Sequence, residues 1–342
     1  MKKFIKILPG FLLALVIALA SRWLESLLPI HLIGASVIAL FIGMLINHFC
    51  KPNETVGIGL KFTSKKILKF AIILLGASLS IGTILEVGKM SLIVMLFTLL
   101  TCFGGGYFIG KALGLNWKLS NLISAGTGIC GGSAIAAIAP VIDADDNDIA
   151  YSMSATFLFD MAMIVLFPIM GRAMNLSDMA YGLWSGTAVN DTSSVVAAGY
   201  AFSEAAGDFA TMVKLTRTLS IIPTVIIFAF IQLNIKKKEA MAKGNTSAEK
   251  TNFNILSIFP WFITGFLALA IINSLGFIPA AISTAAKDLS KLLMVCALAA
   301  IGLNTSFKDM KKAGIAPMVH GFIISALVVI VAIAVEYCIG IV

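Results

Sequence analysis

The chain has 342 residues, of which 59% are hydrophobic and 12% charged, with a formal net charge of +8 and a mean hydropathy of +1.00. A soluble domain carries about 25% charged residues. This chain therefore has too little polar surface to coat a soluble core, and too little charge for a disordered one. Its basic residues fall between long apolar runs and do not gather with aromatics, which argues against a nucleic-acid partner and makes them a signal of membrane topology.

A helix that crosses a bilayer needs about 20 mostly apolar residues. Eleven such stretches are expected, near 7–24, 31–49, 67–85, 90–110, 118–142, 148–170, 178–202, 209–235, 255–275, 288–306 and 314–338. The first follows Lys2, Lys3 and Lys6 and ends near Ala18-Leu19-Ala20, so it imitates a secretory signal. With ten more spans behind it, the preferred reading is a retained first helix. No soluble domain fits between the spans, so 1–342 reads as one membrane domain. The longest polar gaps are 50–66 and 236–254, the second a cytoplasmic linker. Asp143-Ala144-Asp145-Asp146-Asn147-Asp148 reads as a solvated loop, with Asn147 or Asp148 capping the next helix.

Basic residues in short loops set the orientation. With the N-terminus inside, Arg22, Lys89, Lys287 and Lys291 lie outside, and Lys69, Lys214 and Arg217 lie within spans. All the rest, Arg172 included, lie inside. The expectation is N-in and C-out.

Two spans look broken. The fifth contains Gly126-Thr127-Gly128-Ile129-Cys130-Gly131-Gly132-Ser133, too glycine-rich for a continuous helix. The seventh contains Gly186-Thr187-Ala188-Val189-Asn190-Asp191-Thr192-Ser193-Ser194, a polar run that must find partners when buried. Leu119-Ser120-Asn121-Leu122-Ile123 in span five resembles Leu289-Ser290-Lys291-Leu292-Leu293 in span ten. That pairing implies two inverted five-helix repeats, 31–170 and 178–338, with 1–24 extra. A competing match pairs Leu75–Ser80 with Ile301–Ser306. The fold class is thus an all-α polytopic membrane protein with broken helices at the midplane.

Intramembrane charges are the sharpest functional candidates, because each costs at least about 2.5 kcal/mol to insert. Lys214 and Arg217 share one helical face and suit an anion; a structural ion pair with Asp160 or Asp191 is the bland alternative. Asp191, beside Asn190, Thr192 and Ser193, offers oxygens for Na⁺ or a proton. The candidate substrate site is Gly126, Thr127, Gly128, Gly131, Gly132, Ser133, Thr187, Asn190, Lys214, Arg217 and Asn304; Asp191, Asp160 and Ser193 are the ion-coupling candidates. Cys50, Cys102, Cys130, Cys296 and Cys338 form no CxxC, and His31, His48 and His320 are not spaced to chelate, so no metal or cofactor is expected. No nucleophile, zincin or Walker motif is present.

The run Gly126–Ile142 resembles the signature of the YeiH-like family of bacterial inner-membrane proteins. So do Gly186-Thr187-Ala188-Val189 with Val195–Gly199, Val213-Lys214-Leu215-Thr216-Arg217, and Ala300-Ile301-Gly302-Leu303. The resemblance runs nearly the whole chain. It implies sulfate export, the label its members carry, and a distant similarity to bile-acid-symporter-like transporters, with inverted repeats and crossed, broken helices. One departure is Asn190-Asp191, where the family pattern leads us to expect His-Glu; a carboxylate is kept and an imidazole lost. The function expected is secondary transport of a small anion, sulfate or a sulfonate, by alternating access. The alternatives are a Mg²⁺-dependent intramembrane enzyme using the Asp143–Asp148 run, and a passive channel. Expected partners are the anion, the bilayer and, as one option, a second copy of the chain.

Overall fold

The computed structural model describes residues 2–27, 35–242, 261–305 and 314–342, and these are helical without a strand. His31 and most of the 236–254 linker lie outside them. In chain order the helices are α1 (Lys2–Leu27), α2 (Ala35–Phe49), α3 (Glu54–Phe62), α4 (Leu68–Gly76), α5 (Ile81–Leu100), α6 (Gly106–Ala112), α7 (Trp117–Ala125), α8 (Gly132–Ile138), α9 (Asp146–Ala173), α10 (Asp178–Ala188), α11 (Thr192–Phe202), α12 (Glu204–Thr218), α13 (Ile221–Ala242), α14 (Trp261–Ser274), α15 (Ala280–Asn304) and α16 (Ile315–Cys338). Single π-helical turns, Thr63–Ile67 and Thr101–Gly105, join α3 to α4 and α5 to α6.

The 50–66 gap is not a loop. Asn53 accepts from the Val56 amide and starts α3, and the helix runs on through the π turn into α4. Lys61, Lys65 and Lys66 thus sit on a helix. Gly10 of α1 and Gly59 of α3 let the two backbones touch: a Cβ at Gly10 would strike the backbone of Val56 and Leu60. Gly43 of α2 and Gly302 of α15 make a similar contact. Among the described residues, Lys6–Leu27, Ile81–Ala112, Asn147–Ala173, Glu204–Ile235 and Ile315–Cys338 are long and apolar enough to cross a bilayer. Trp23, Phe70, Leu96, Phe108, Phe230 and Ile330 are among the large apolar side chains left on the outside, as lipid contact requires.

The eleven expected spans meet one main correction. Two of them turn back on themselves. In 117–143, Lys118 Nζ at the start donates to the Asp143 carbonyl at the end (2.6 Å), and Gly126 packs against Ile135. In 178–202, the Tyr181 hydroxyl donates to the Ala198 carbonyl (2.9 Å), and its ring stacks on Phe202 with centroids 3.9 Å apart. A straight helix would hold Lys118 from Asp143, and Tyr181 from Ala198 and Phe202, more than about 20 Å apart at about 1.5 Å per residue. Both stretches are helical hairpins, α7–α8 and α10–α11. The other nine expected stretches meet helices, five of them long and apolar enough to cross a bilayer, while 67–85 straddles the turn between α4 and α5 and 31–34, 255–260 and 306 lie outside the described residues. Residues 288–304 belong to the continuous helix α15, which makes no such turn.

The hairpins enter from opposite ends of the bundle, separated by the pass of α9. Lys118, Asp143, Asp148 and Gln232 meet at one end, called basal here. Arg172, Ala201, Phe202, Ser203 and Asp178 meet at the other, apical end. Two placements follow that differ from expectation. Arg172 lies at the apical end, away from Lys118, where its guanidinium donates to the carbonyls closing α11. The acidic run lies at the basal end among lysines. Asp145 stands at the N-cap of α9, while Asp148 accepts from Asn116 instead of capping.

The passes sort into two lobes. One contains α1–α4, α14 and α15; the other contains α5–α13 and α16 and holds both hairpins.

Candidate functional site

The two hairpin tips meet in the middle of the second lobe, and sequence-local rules account for each tip. Hairpin 1 turns through a π-helical turn, Gly126–Cys130, and ends at Gly131 with φ +65°. That backbone favours glycine. A Cβ on Gly131 would also lie 3.0 Å from both Cβ and Oδ1 of Asp191 on hairpin 2. Hairpin 2 turns through the extended residues Val189–Asn190–Asp191, and Asp191 caps α11 by accepting from the Ser193 amide (2.9 Å) and hydroxyl.

Turning back strands backbone groups that water cannot reach. Charged side chains satisfy them. Arg217 donates from Nε to the Gly128 carbonyl and from Nη2 to the Thr127 carbonyl, both at 2.6 Å. Lys214 Nζ donates to the Val189 carbonyl at 2.9 Å. Asp160, near the middle of α9, accepts from the Asn190 amide (2.9 Å) and the Asp191 amide (2.8 Å), one per carboxylate oxygen. Asp160 and Lys214 are fully buried and Arg217 is 1% exposed. Such burial is tolerable only with charge-assisted bonds and compensating charges nearby. Two cations and the carboxylates of Asp160 and Asp191 supply both.

The sequence candidates therefore divide. Gly126, Thr127, Gly128, Gly131, Asn190, Asp191, Ser193, Asp160, Lys214 and Arg217 come together at the tips. Thr187 does not join them; its hydroxyl bonds back to the carbonyls of Leu183 and Trp184 in its own helix. Gly132 and Ser133 begin α8 and face a cleft between the lobes. Asn304, at the basal end of α15, forms part of that cleft's far wall.

The cleft consists of two adjoining cavities of about 410 and 530 Å³. Asp160, Asp191, Ser193, Gly131 and Gly132 line it from the hairpin lobe. Ser64, Lys65, Lys69, Asn304 and Thr305 line it from the other. At the apical end the same seam is closed by ion pairs. Lys287 of α15 contacts Asp208 (2.7 Å) and Glu204 (3.3 Å) of α12, and Lys291 also pairs with Glu204. One helix thus joins the two features: α12 carries the apical carboxylates in its first turns and the tip-binding Lys214 and Arg217 in its last.

Lys65, Thr156 and Ser325 escaped sequence reasoning. Thr156 contributes a main-chain carbonyl beside Asn190, which no side-chain pattern can reveal. Ser325 is the lone serine in the apolar α16. Lys65 lies in the stretch read as a loop, and recognising the Asn53 cap would have placed it on a helix.

The model of a family described as conserved hypothetical protein 698 matches residues 9–321. A UPF0324 membrane protein of Clostridium tetani is 58% identical over 334 residues, covering 97% of each chain. One from Streptococcus mutans is 39% identical over 342 residues, with 98% of each covered. Another from Streptococcus pneumoniae is 36% identical over 340 residues, with 97% of each covered. The chain belongs to this family of membrane proteins, and the YeiH-like resemblance fits it.

Proposed function

We propose that this family member is a secondary active transporter of a small anion, working by alternating access in the bacterial plasma membrane. The observation that carries the reading is the meeting of two opposed hairpin tips beside a cleft that ion pairs close at the apical end. Hairpins entering from opposite faces are what an inverted internal repeat produces, and their tips bring backbone charge to the middle of the bilayer. The lysine-rich basal end is cytoplasmic in this reading, which keeps the N-terminus inside and the C-terminus outside.

Lys214 and Arg217 act through the tips, since their described bonds go to carbonyls. The anion sits in the cleft against Lys65, with Gly131, Gly132, Ser133, Ser193 and Asn304 around it. Sulfate and small sulfonates are the first substrates to try. Access changes when the hairpin lobe shifts against its partner, opening the apical seam and closing the cleft.

Reconstitution into proteoliposomes tests this. Labelled sulfate or sulfonate should accumulate against its gradient when a cation gradient is imposed, and Lys65→Gln should cut the rate at least tenfold. Ohmic currents with no co-ion dependence would make the protein a channel instead. An enzyme built on the acidic run gains no support from the geometry. Asp143 receives a hydrogen bond from Gln232 and Asp148 one from Asn116.

A further inference from the structure

At the tips, four elements converge on a small polar cluster. Thr127 comes from hairpin 1, Asn190 from hairpin 2, Thr156 from α9 and Ser325 from α16. Thr127, Asn190 and Ser325 are fully buried and Thr156 is 2% exposed.

Their spacing is loose for hydrogen bonding. Thr127 Oγ1 lies 3.5 Å from Ser325 Oγ, and the Asn190 side-chain amide lies 3.3 Å from Ser325 Oγ and 3.5 Å from the Thr156 carbonyl. Well-formed bonds between such groups are about 2.7–3.0 Å. Asn190 Oδ1 is also buried without a hydrogen-bond partner, a costly state for a carbonyl. Rotation exchanges the two ends of the amide: it would turn Oδ1 towards Ser325 Oγ, at 3.3 Å, and the Thr156 carbonyl, a second acceptor at 3.5 Å that only a cation between them would reconcile, and would move Nδ2 to the place Oδ1 now holds.

A hard cation with oxygen ligands at about 2.3–2.6 Å, at roughly right angles to one another, places neighbouring oxygens about 3.3–3.7 Å apart. The three separations fall in that window. We propose that Thr127 Oγ1, Thr156 O, Asn190 Oδ1 and Ser325 Oγ bind a desolvated monovalent cation of Na⁺ size. The four ligands are neutral, which disfavours a divalent ion, whose sites rely on carboxylates. Negative charge comes from the next layer: Asp160 is hydrogen-bonded to the Asn190 amide, and Asp191 follows in the chain.

The site has a consequence for the cleft. Asp160 and Asp191 balance Lys214 and Arg217, so a bound cation leaves the junction one charge positive. An anion in the adjoining cleft then binds more tightly, and by linkage it tightens the cation in equal measure. This coupling rests on the transport reading; the cation site does not.

The test is thermal unfolding of the purified full-length protein in NaCl, KCl and choline chloride at equal ionic strength. Na⁺ should raise the midpoint by several degrees more than K⁺ or choline. In Ser325→Ala and Thr127→Val, the Na⁺ concentration giving half the effect should rise at least tenfold. Thr127→Ser should keep the native value, and it decides the role of the Thr127 hydroxyl if Thr127→Val fails to fold. The proposal is overturned by a midpoint indifferent to Na⁺, by a shift unchanged in Ser325→Ala, or by one lost only in Asp191→Asn, which would put the ion in the cleft. A Na⁺-specific shift lost in Ser325→Ala, in a protein that moves no anion, would uphold this site and overturn the transport reading.

Discussion

Hairpin 1 and hairpin 2 solve the same problem with opposite charges. At the first tip the stranded groups are carbonyls, and the guanidinium of Arg217 holds the two of Thr127 and Gly128. At the second, the stranded groups include two amides, and the carboxylate of Asp160 takes one on each oxygen. Lys214 adds a single bond to the Val189 carbonyl. The difference follows from how each chain turns. A π turn ending at a positive φ leaves carbonyls free, whereas the non-helical residues leading into α11 leave their own amides, those of Asn190 and Asp191, without a helical acceptor. Each tip is therefore held by a residue of opposite sign, and the two signs offset each other in a place where neither is stable alone.

The largest effect expected from breaking this arrangement is at Arg217. Arg217→Met removes two charge-assisted bonds and leaves Asp160 and Asp191 balanced by Lys214 alone. Loss of about 3–5 kcal/mol is expected, read as a large fall in unfolding midpoint or absence of folded protein. Arg217→Lys keeps the charge but not the fork, and should lose less. Equal losses in the two variants would show that charge, not planar geometry, holds hairpin 1.

Asp160→Asn comes next. Its amide nitrogen would face one of the two tip N–H groups donor to donor, costing about 2–3 kcal/mol. The same substitution at Asp191 should cost less, because Asp191 caps a helix with one oxygen and faces the cleft with the other. Similar losses at both positions would contradict the distinct roles assigned to them.

Gly131→Ala separates the tips directly. It demands φ +65° of an alanine and pushes its Cβ against Asp191. About 1–3 kcal/mol is expected from the backbone alone, because φ +65° with ψ −132° is a region open essentially to glycine, with transport falling further than stability. For the stability effect alone, Gly132→Ala, with open space at its Cβ position, is the control.

The smallest effect on stability is expected at the apical seam. Lys287→Gln removes contacts to Glu204 and Asp208 that water partly screens, worth about 0–1 kcal/mol. Its value lies in a different readout. If the seam opens during transport, a cysteine placed at Ser203 in a background without the native cysteines should label faster in this variant. Unchanged labelling would mean the ion pairs do not hold the lobes together.

Much of the site was legible in the sequence. Four glycines within Gly126–Gly132, and the polar run Asn190–Ser194, mark both tips because neither suits an uninterrupted apolar helix. Lys214 and Arg217 stood out because lone charges in apolar runs need partners. Their task was not legible. A spacing of three residues places two cations on one face but does not say whether they meet an anion from outside or carbonyls from their own chain. Thr156 was invisible for a related reason, since its carbonyl is common to every residue.

By itself the sequence determined that the chain is helical, lives in a membrane and breaks its helices at two places, because composition and local glycine content control those properties. Only the tertiary structure decided that stretches 118–142 and 178–202 turn back instead of crossing. Hydropathy is a sum over residues and is the same for a straight span and a folded one. What separates them is the contact between distant ends, Lys118 with Asp143 and Tyr181 with Phe202, together with buried charges on α9 and α12 that make a turn inside the bundle affordable.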